Sequence, residues 1–301
     1  METTITDIKL NFRADSLLFL NFCLAFIMFG VAITLDIKGF KEVVRNPRGV
    51  LSGVLSQYLM LPALTFLLVW LIRPHPALAL GMILVAACPG GNVSNFYTLV
   101  AGGNVALSVS LTAIASLLAA FMTPANFRFW GSQLEETKMI ITNIDISFLE
   151  MAKTVTLILV IPLLIGLWFN FQFPNVAKRI SKPMKIASFL ILAGFIVFAF
   201  VNNIQIFLDY FHLIIFLVLI HNSAALLLGY IMGKLGRNTE KDSRTISIET
   251  GIQNSALGLL IIFAFFDGNG GMAIIAAWWG IWHLISGFLI SRWFQYKSSP
   301  T

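Results

Sequence analysis

Charged residues are scarce in this chain. Asp, Glu, Lys and Arg make up 11% of its 301 residues, whereas soluble domains hold about 25%. So few charges cannot cover a water-facing surface, and hydrophobic residues at 58% exceed what a single buried core needs. This composition excludes a soluble enzyme and a disordered chain.

Cysteine is almost absent, since Cys23 and Cys88 are the only two. Both lie in apolar stretches, which indicates free buried thiols and argues against a disulfide-stapled secreted domain. The sequence lacks the Cys and His clusters that transition metals prefer. It also lacks the His-Glu-x-x-His and Gly-x-Ser-x-Gly motifs of enzymes. We therefore expect no transition-metal site and no enzymatic activity, which argues against an intramembrane enzyme.

A dense basic patch with interleaved aromatic residues is missing as well. The net charge of +6 therefore does not indicate nucleic-acid binding, and membrane topology explains it better. With the N-terminus outside, most of the twenty basic residues fall in cytoplasmic loops or in the C-terminal tail. The positive-inside rule then predicts an outside N-terminus and a cytoplasmic C-terminus. We expect a multi-pass protein of the cell membrane.

Long apolar runs fill most of the chain, and their lengths suit helices that cross a bilayer. They predict an all-α polytopic membrane protein with about nine transmembrane helices and no inserted soluble domain. The predicted spans are 16–36, 49–72, 77–101, 104–130, 146–170, 185–208, 211–233, 243–266 and 271–294.

Of the fourteen acidic residues, thirteen fall in tails, in loops or at the ends of predicted helices, and only Glu249 lies deep inside a predicted span. An ionised side chain at the bilayer centre costs about 2.5–3.5 kcal/mol, so it is retained where it lines a polar cavity or meets a counter-charge. No Lys or Arg lies deep in a predicted span, which leaves a bound cation or a proton as the partner. Packing of the carboxyl group among hydroxyls is the alternative.

Glycine and polar residues interrupt two predicted spans, one in each half of the chain. Residues 88–95 read Cys-Pro-Gly-Gly-Asn-Val-Ser-Asn, and residues 249–255 read Glu-Thr-Gly-Ile-Gln-Asn-Ser. Proline removes a backbone donor, and glycine lowers the cost of unwinding. Unwound backbone at membrane depth survives only inside protein or beside a cavity. Two broken helices in corresponding places are typical of a transporter's midplane binding site, and ordinary kinks are the alternative.

Further oxygen-bearing side chains accompany the breaks. Ser108 and Thr112 are four residues apart and share one helix face. Together with Ser94, Asn95 and Glu249 they offer the oxygen ligands that hard cations prefer, although hydroxyls in membrane helices often serve packing alone.

Gln57, His283 and the pair His221-Asn222 are further polar residues inside predicted spans. Gln57 and His283 are compatible with either a ligand role or helix–helix hydrogen bonding. The pair His221-Asn222 favours a structural role.

These motifs resemble the signatures of the bile acid:sodium symporter family. Residues 89–95 with 103–108 resemble its first signature, residues 249–254 its second, and residues 282–287 a third found in bacterial members. The resemblance begins at Met28-Phe29-Gly30 and runs to the last helix. It identifies the chain as a bacterial homologue of the apical and liver sodium–bile acid cotransporters.

The family fold implies one transporter domain over residues 1–301, built from inverted repeats of four and five helices. The N-terminal repeat would cover about 16–130 and the C-terminal repeat about 146–294, with two discontinuous helices that cross. Spans 16–36, 146–170 and 185–208 would form a panel domain, and the other six a core domain.

The resemblance also implies two coupling sodium ions, no organic cofactor and a set of site residues. One sodium site would consist of Ser94, Asn95, Ser108, Thr112 and Glu249. The other would consist of Gln57, Glu249 and Gln253 with the main-chain carbonyls of Thr250 and Ile252. The substrate would contact Asn92, Asn254 and His283.

The resulting hypothesis is sodium-coupled symport of an organic anion by alternating access. A bile salt, a similar amphipathic sulfate, or a small carboxylate such as pantoate or a keto acid would suit the family. The expected partners are this anion and the lipid bilayer, with the protein as a monomer. The alternatives are a proton-coupled anion carrier that uses Glu249 and a ligand sensor that does not transport.

Overall fold

The computed structural model describes residues 14–33, 46–91, 93–144, 147–201 and 204–298. Within these ranges the chain is helical, with a single isolated β-bridge and no β-strand. The helices are α1 Ala14–Ala32, α2 Pro47–Ile72, α3 Pro76–Ala87, α4 Ser94–Val100, α5 Val105–Gly131, α6 Glu135–Ile144, α7 Phe148–Gln172, α8 Pro174–Val201, α9 Ile204–Leu235, α10 Glu240–Gly251, α11 Ser255–Phe265 and α12 Gly270–Ser298. The prediction of an all-α polytopic membrane protein is confirmed.

In the described part of the chain, five helices are long and apolar enough to cross a membrane. They are α2, α5, α7, residues 213–235 of α9 and residues 270–297 of α12, and each overlaps a predicted span. The third predicted span is divided into α3 and α4, and the eighth into α10 and α11, at the two polar interruptions. Each half is too short to cross alone, so the count of nine spans stays a prediction.

Proline marks the beginning of three helices. Pro47, Pro76 and Pro174 stand at the first positions of α2, α3 and α8, where the missing N–H costs nothing and the fixed φ suits the first turn. Helix α8 therefore begins at Pro174 and includes residues predicted to form a loop before residue 185. It ends at Val201 and α9 begins at Ile204, so the predicted boundary near 208–211 was too late.

Two helices contain a π-turn just before a proline. These turns span Ser56–Met60 in α2 and Thr156–Val160 in α7, followed by Pro62 and Pro162. The N–H that closes each turn bonds a carbonyl five residues back, because the proline after it cannot donate. π-Turns are frequent at functional sites, and the turn in α2 carries Gln57.

Glycine allows two half-helices to pack against the backbone of unbroken helices. A Cβ at Gly229 of α9 would lie 2.6 Å from the Ile246 carbonyl oxygen of α10. A Cβ at Gly81 of α3 would lie 2.9 Å from the Met272 carbonyl oxygen of α12. Small residues permit such close approach in membrane helices. Contacts between α10 and α9 and between α3 and α12 thus hold the broken helices in place.

Helices α3 and α10 are both buried, although their compositions are opposite. Every residue of α3 from Ala77 to Ala87 is buried and nearly all are apolar. Helix α10 is buried from Asp242 to Gly251, and most of these residues are polar. Buried polar side chains require partners, so α10 is the element around which a polar site is organised.

Buried Arg244 ties three helix ends together at one end of the molecule. Its guanidinium donates to Glu240 Oε1 at 3.1 Å, to the Ala101 carbonyl at 3.3 Å and to the Phe294 carbonyl at 3.0 Å. The start of α10, the end of α4 and the end of α12 therefore lie on the same side. The predicted orientation assigns all three to the cytoplasm, and which side faces the cytoplasm stays a prediction.

Candidate functional site

The two broken helices meet where their backbones are unwound. Gly90 and Gln253 form an antiparallel β-bridge. The N–H of Gly91 donates to the Ile252 carbonyl at 2.7 Å, and the N–H of Asn254 donates to the Pro89 carbonyl at 2.9 Å. Backbone N–H and C=O groups that have no helical partner at the two breaks thus partly satisfy each other across the crossing.

This backbone contact requires glycine. A Cβ at Gly91 would lie 2.9 Å from the Gln253 carbonyl oxygen, and a Cβ at Gly90 would lie 3.1 Å from Glu249 Oε2. The first distance is shorter than real Cβ contacts and the neighbour is backbone, which cannot swing away. The Gly-Gly pair therefore sets how closely the two breaks approach.

We expect Gly91→Ala to lower the stability of the folded protein by about 1–3 kcal/mol, the usual cost of overpacking. Thermal unfolding in detergent measures this change. Gly258→Ala is the matched control, because a Cβ there would approach no atom closer than 3.8 Å. Equal unfolding temperatures for the two variants would contradict the close-contact argument.

The Glu249 carboxylate is surrounded by hydroxyl groups from two other helices. Its side chain is 5% exposed. Ser94 of α4 donates to Oε1 at 2.5 Å, and Ser108 of α5 donates to the same oxygen. Thr112 of α5 lies 3.1 Å from Oε2 and 3.3 Å from Oε1. No ion pair involves Glu249 within the described residues.

Three of the residues predicted for the first sodium site, Ser94, Ser108 and Thr112, therefore contact a fourth, Glu249. The fifth, Asn95, follows Ser94 in the first turn of α4 and is partly buried. Together they present hydroxyl, amide and carboxylate oxygens, which is the donor chemistry of a hard cation.

Two glutamine amides pair beside this group. Gln57 Nε2 donates to Gln253 Oε1 at 2.8 Å, and Gln253 Nε2 donates to Gln57 Oε1 at 3.1 Å. Gln57 Nε2 also donates to the Cys88 carbonyl at 2.8 Å, and Gln253 Nε2 to the Thr250 carbonyl at 2.6 Å. The pair links α2 to both breaks, and it brings together Gln57 and Gln253, two of the three side chains predicted for the second sodium site.

Three backbone carbonyls at the C-terminal end of α10 accept hydrogen bonds from outside the helical ladder. Thr250 accepts from the Gln253 side chain at 2.6 Å, Gly251 from Asn222 Nδ2 at 2.7 Å, and Ile252 from the Gly91 N–H. Each would otherwise be left unsatisfied where the helix ends. A dense ring of polar groups therefore encloses the C-terminal end of the half-helix that carries Glu249.

Two residues at this end were not predicted to take part. Ser56 Oγ lies 2.8 Å from the Thr250 hydroxyl, and Asn222 donates to Gly251 from α9. The sequence favoured a structural role for His221-Asn222. The sequence signal that could have revealed Asn222 is an amide in the middle of an apolar span, the same signal that singled out Gln57.

His221 itself makes packing contacts. Its Nε2 lies 2.7 Å from the Thr65 hydroxyl of α2, and its ring meets the Trp279 ring edge to face, with centroids 4.7 Å apart. These contacts join α2, α9 and α12.

The residues predicted to bind substrate are more dispersed. Asn92 lies outside the described residues. Asn254 is at the crossing, where its Oδ1 accepts the Leu257 N–H at 3.0 Å and caps α11. His283 is buried on α12, and its Nδ1 has no hydrogen-bond partner in the described part of the chain. The hydrogen bonds described here do not link His283 to Asn254.

Helix α12 nevertheless packs directly against the half-helix α4. The Tyr97 hydroxyl donates to the Leu284 carbonyl at 2.7 Å. A Cβ at Gly287 would lie 2.6 Å from the Tyr97 ring. The motif at 282–287 thus lies beside the break that carries Ser94 and Asn95.

The chain is similar in sequence to known transporters. The sequence model of the sodium bile acid symporter family matches residues 21–210. A Bacillus subtilis protein named the uncharacterized sodium-dependent transporter YocS is 31% identical over 279 residues, which are 93% of this chain and 84% of that protein. The sodium-dependent organic anion transporter of Bos taurus is 25% identical over 282 residues, 90% of this chain and 71% of its own.

A plant protein is similar as well. The probable chloroplastic sodium/metabolite cotransporter BASS1 of Arabidopsis thaliana is 31% identical over 276 residues, 91% of this chain and 65% of the plant protein. These relatives carry the names of transporters and not of enzymes. Since the family model covers more than half of the chain and the Bacillus relative aligns over nearly all of it, the chain belongs to the sodium bile acid symporter family.

Proposed function

We propose that the protein is a sodium-coupled symporter of an organic anion that works by alternating access. The observation that carries the proposal is the buried Glu249 carboxylate, held by hydroxyls of α4 and α5 with no ion pair in the described residues. A buried carboxylate without a cationic partner is costly, and a bound cation supplies that partner. The sodium-dependent names of its relatives support this reading.

The first sodium ion would bind among Ser94, Asn95, Ser108, Thr112 and Glu249. The three hydroxyls now donate to the carboxylate. When sodium binds, each hydroxyl would rotate about its C–O bond so that its oxygen lone pairs face the ion, and the carboxylate would balance the charge. This change needs little backbone movement because the oxygens already converge on one point.

The second ion would bind at the C-terminal end of α10, among Gln57, Glu249, Gln253 and the carbonyls of Thr250 and Ile252. The helix dipole places partial negative charge at this end, which favours a cation. Each glutamine oxygen now accepts from the other glutamine. An ion between the two amides would replace these donors and leave the amide nitrogens on Cys88 and Thr250.

The anion would bind beside the crossing and contact Asn92, Asn254 and His283. The N-terminus of α11 places partial positive charge there. Asn254 Oδ1 is engaged with the Leu257 N–H, which directs its Nδ2 group away from the helix and toward the anion. His283 would supply a second hydrogen-bonding group from α12.

Alternating access would come from motion of a panel domain past a core domain. Helix α1 packs against α7 and α8, the helices predicted to form the panel with it. The two crossed helices and the glycine-packed helices α9 and α12 would belong to the core. Sodium binding would rigidify the core before the panel moves. The protein would act as a monomer in the inner membrane of a bacterium.

We expect Asn254→Ala and His283→Ala to weaken anion binding more than sodium binding, because both residues lie outside the two ion sites. Sodium affinity measured without anion should stay within about threefold of wild type, while anion affinity falls about tenfold, the value of one or two hydrogen bonds. A collapse of sodium affinity with intact anion binding would mean that the assignments are reversed.

Uptake into proteoliposomes tests the function itself. A panel of labelled anions, including bile salts, pantoate and keto acids, is offered with and without an inward sodium gradient. Two sodium ions with one monovalent anion would move one net positive charge, so an inside-negative potential should drive uptake by about 2.3 kcal/mol per 100 mV. Uptake that depends on a proton gradient and ignores sodium would instead support the proton-coupled alternative.

A further inference from the structure

The two breaks are related by a local twofold symmetry that extends to the side chains around them. The bonds from Gly91 to Ile252 and from Asn254 to Pro89 flank the bridge between Gly90 and Gln253 on either side. The symmetry therefore exchanges Gly90 with Gln253. It also exchanges the residue two positions before each, Cys88 with Gly251.

Each of these two carbonyls accepts a hydrogen bond from a buried side-chain amide on the unbroken helix of the same half. Gln57 Nε2 of α2 donates to the Cys88 carbonyl at 2.8 Å. Asn222 Nδ2 of α9 donates to the Gly251 carbonyl at 2.7 Å. Asn222 is thus the counterpart of Gln57 on the other side of the crossing, and its bond to Gly251 places it at the C-terminal end of α10.

The two amides differ in what their oxygens contact. Gln57 Oε1 accepts from Gln253. The counterpart of Gln253 is Gly90, which has no side chain, and Asn222 Oδ1 is buried without a hydrogen-bond partner within the described residues. Asn222 is 0% exposed, so bulk solvent does not reach this oxygen. A buried unsatisfied oxygen costs about 1–3 kcal/mol.

The location of Asn222 Oδ1 raises the free-energy cost of burying this oxygen without a donor. It lies beside the C-terminal end of α10, where the helix dipole is negative. A cation there would satisfy Asn222 Oδ1 and would be stabilised by the same dipole. We propose that Asn222 Oδ1 is a further ligand of the sodium ion at the C-terminal end of α10, an inference that rests on the function proposed above.

Binding of radioactive sodium to purified protein tests this assignment without transport. Asn222→Leu removes the oxygen and keeps the volume, and we expect it to weaken sodium binding at least tenfold. Asn222→Asp keeps an oxygen in the same place, and its sodium affinity should stay within about threefold of wild type or rise. Thr137→Val is the matched control, because it removes a buried side-chain hydrogen bond to a backbone carbonyl, from Thr137 to Gly131 at 2.6 Å, in helix α6, which carries no proposed ligand.

The outcomes separate the possibilities. Sodium affinity in Asn222→Leu equal to that of Thr137→Val would overturn the assignment. Equal loss in Asn222→Leu and Asn222→Asp would also overturn it, since only the hydrogen bond to Gly251 would then matter. If Asn222→Leu does not fold, Asn222→Asp decides alone, because retained binding supports the ligand role and lost binding overturns it. Wild-type protein that binds no sodium would instead defeat the proposed function.

Discussion

Glu249→Ala should abolish sodium-driven uptake and leave the protein folded in the membrane. The carboxylate is shared by both proposed ion sites and accepts hydrogen bonds from α4 and α5. Removing one partner of a buried charge pair costs about 3–5 kcal/mol, which corresponds to a loss of sodium affinity of more than about 100-fold. Uptake under a sodium gradient should fall to the background of empty vesicles.

Two further variants show whether the charge or the shape matters. Glu249→Gln keeps the size and a hydrogen-bond acceptor but removes the charge, and we expect it to fail like Glu249→Ala. Glu150→Ala changes an exposed carboxylate in the first turn of α7 and should transport normally. Size-exclusion profiles confirm folding of each variant. Wild-type uptake by Glu249→Ala would rule out the ion sites proposed around this carboxylate.

The second large effect is mutual tightening of sodium and anion. Sodium at the proposed sites would link α4, α5 and α10 beyond the packing and hydrogen bonds described above. Rigidifying the crossing orders Asn254 and the start of α11 before the anion arrives, so the anion loses less conformational entropy on binding. Coupling of the usual size, about 1–3 kcal/mol, would change affinity about 5–150-fold.

Calorimetric titration measures this coupling in both directions. Anion is titrated into protein in sodium, in potassium and in choline at equal ionic strength, and sodium is then titrated with and without saturating anion. Linkage requires the same factor in the two experiments. Equal anion affinities in all three salts would mean that no coupling ion binds at these oxygens.

Several features of the site follow from local properties of the chain and were predictable from the sequence. Pro89 and the glycines after it break a helix because proline lacks an N–H and glycine unwinds easily, and α3 ends at Ala87 as expected. Glu249 stood out because a charge in an apolar span needs a partner wherever the span lies. The hydroxyls four residues apart, Ser108 and Thr112, share a face for the same local reason.

Other features depend on which segments meet, and periodicity along one helix cannot supply that. Gln57 pairs with Gln253, 196 residues away in the chain, and Asn222 contacts Gly251 because Gly229 lets α9 approach the α10 backbone. The register of the crossing is set by the bridge between Gly90 and Gln253. The sequence by itself determined that there are two breaks and one buried carboxylate. Only the tertiary structure decided which further polar groups, among them Ser56 and Asn222, lie beside the same helix end, because close backbone packing between distant helices sets their relative positions.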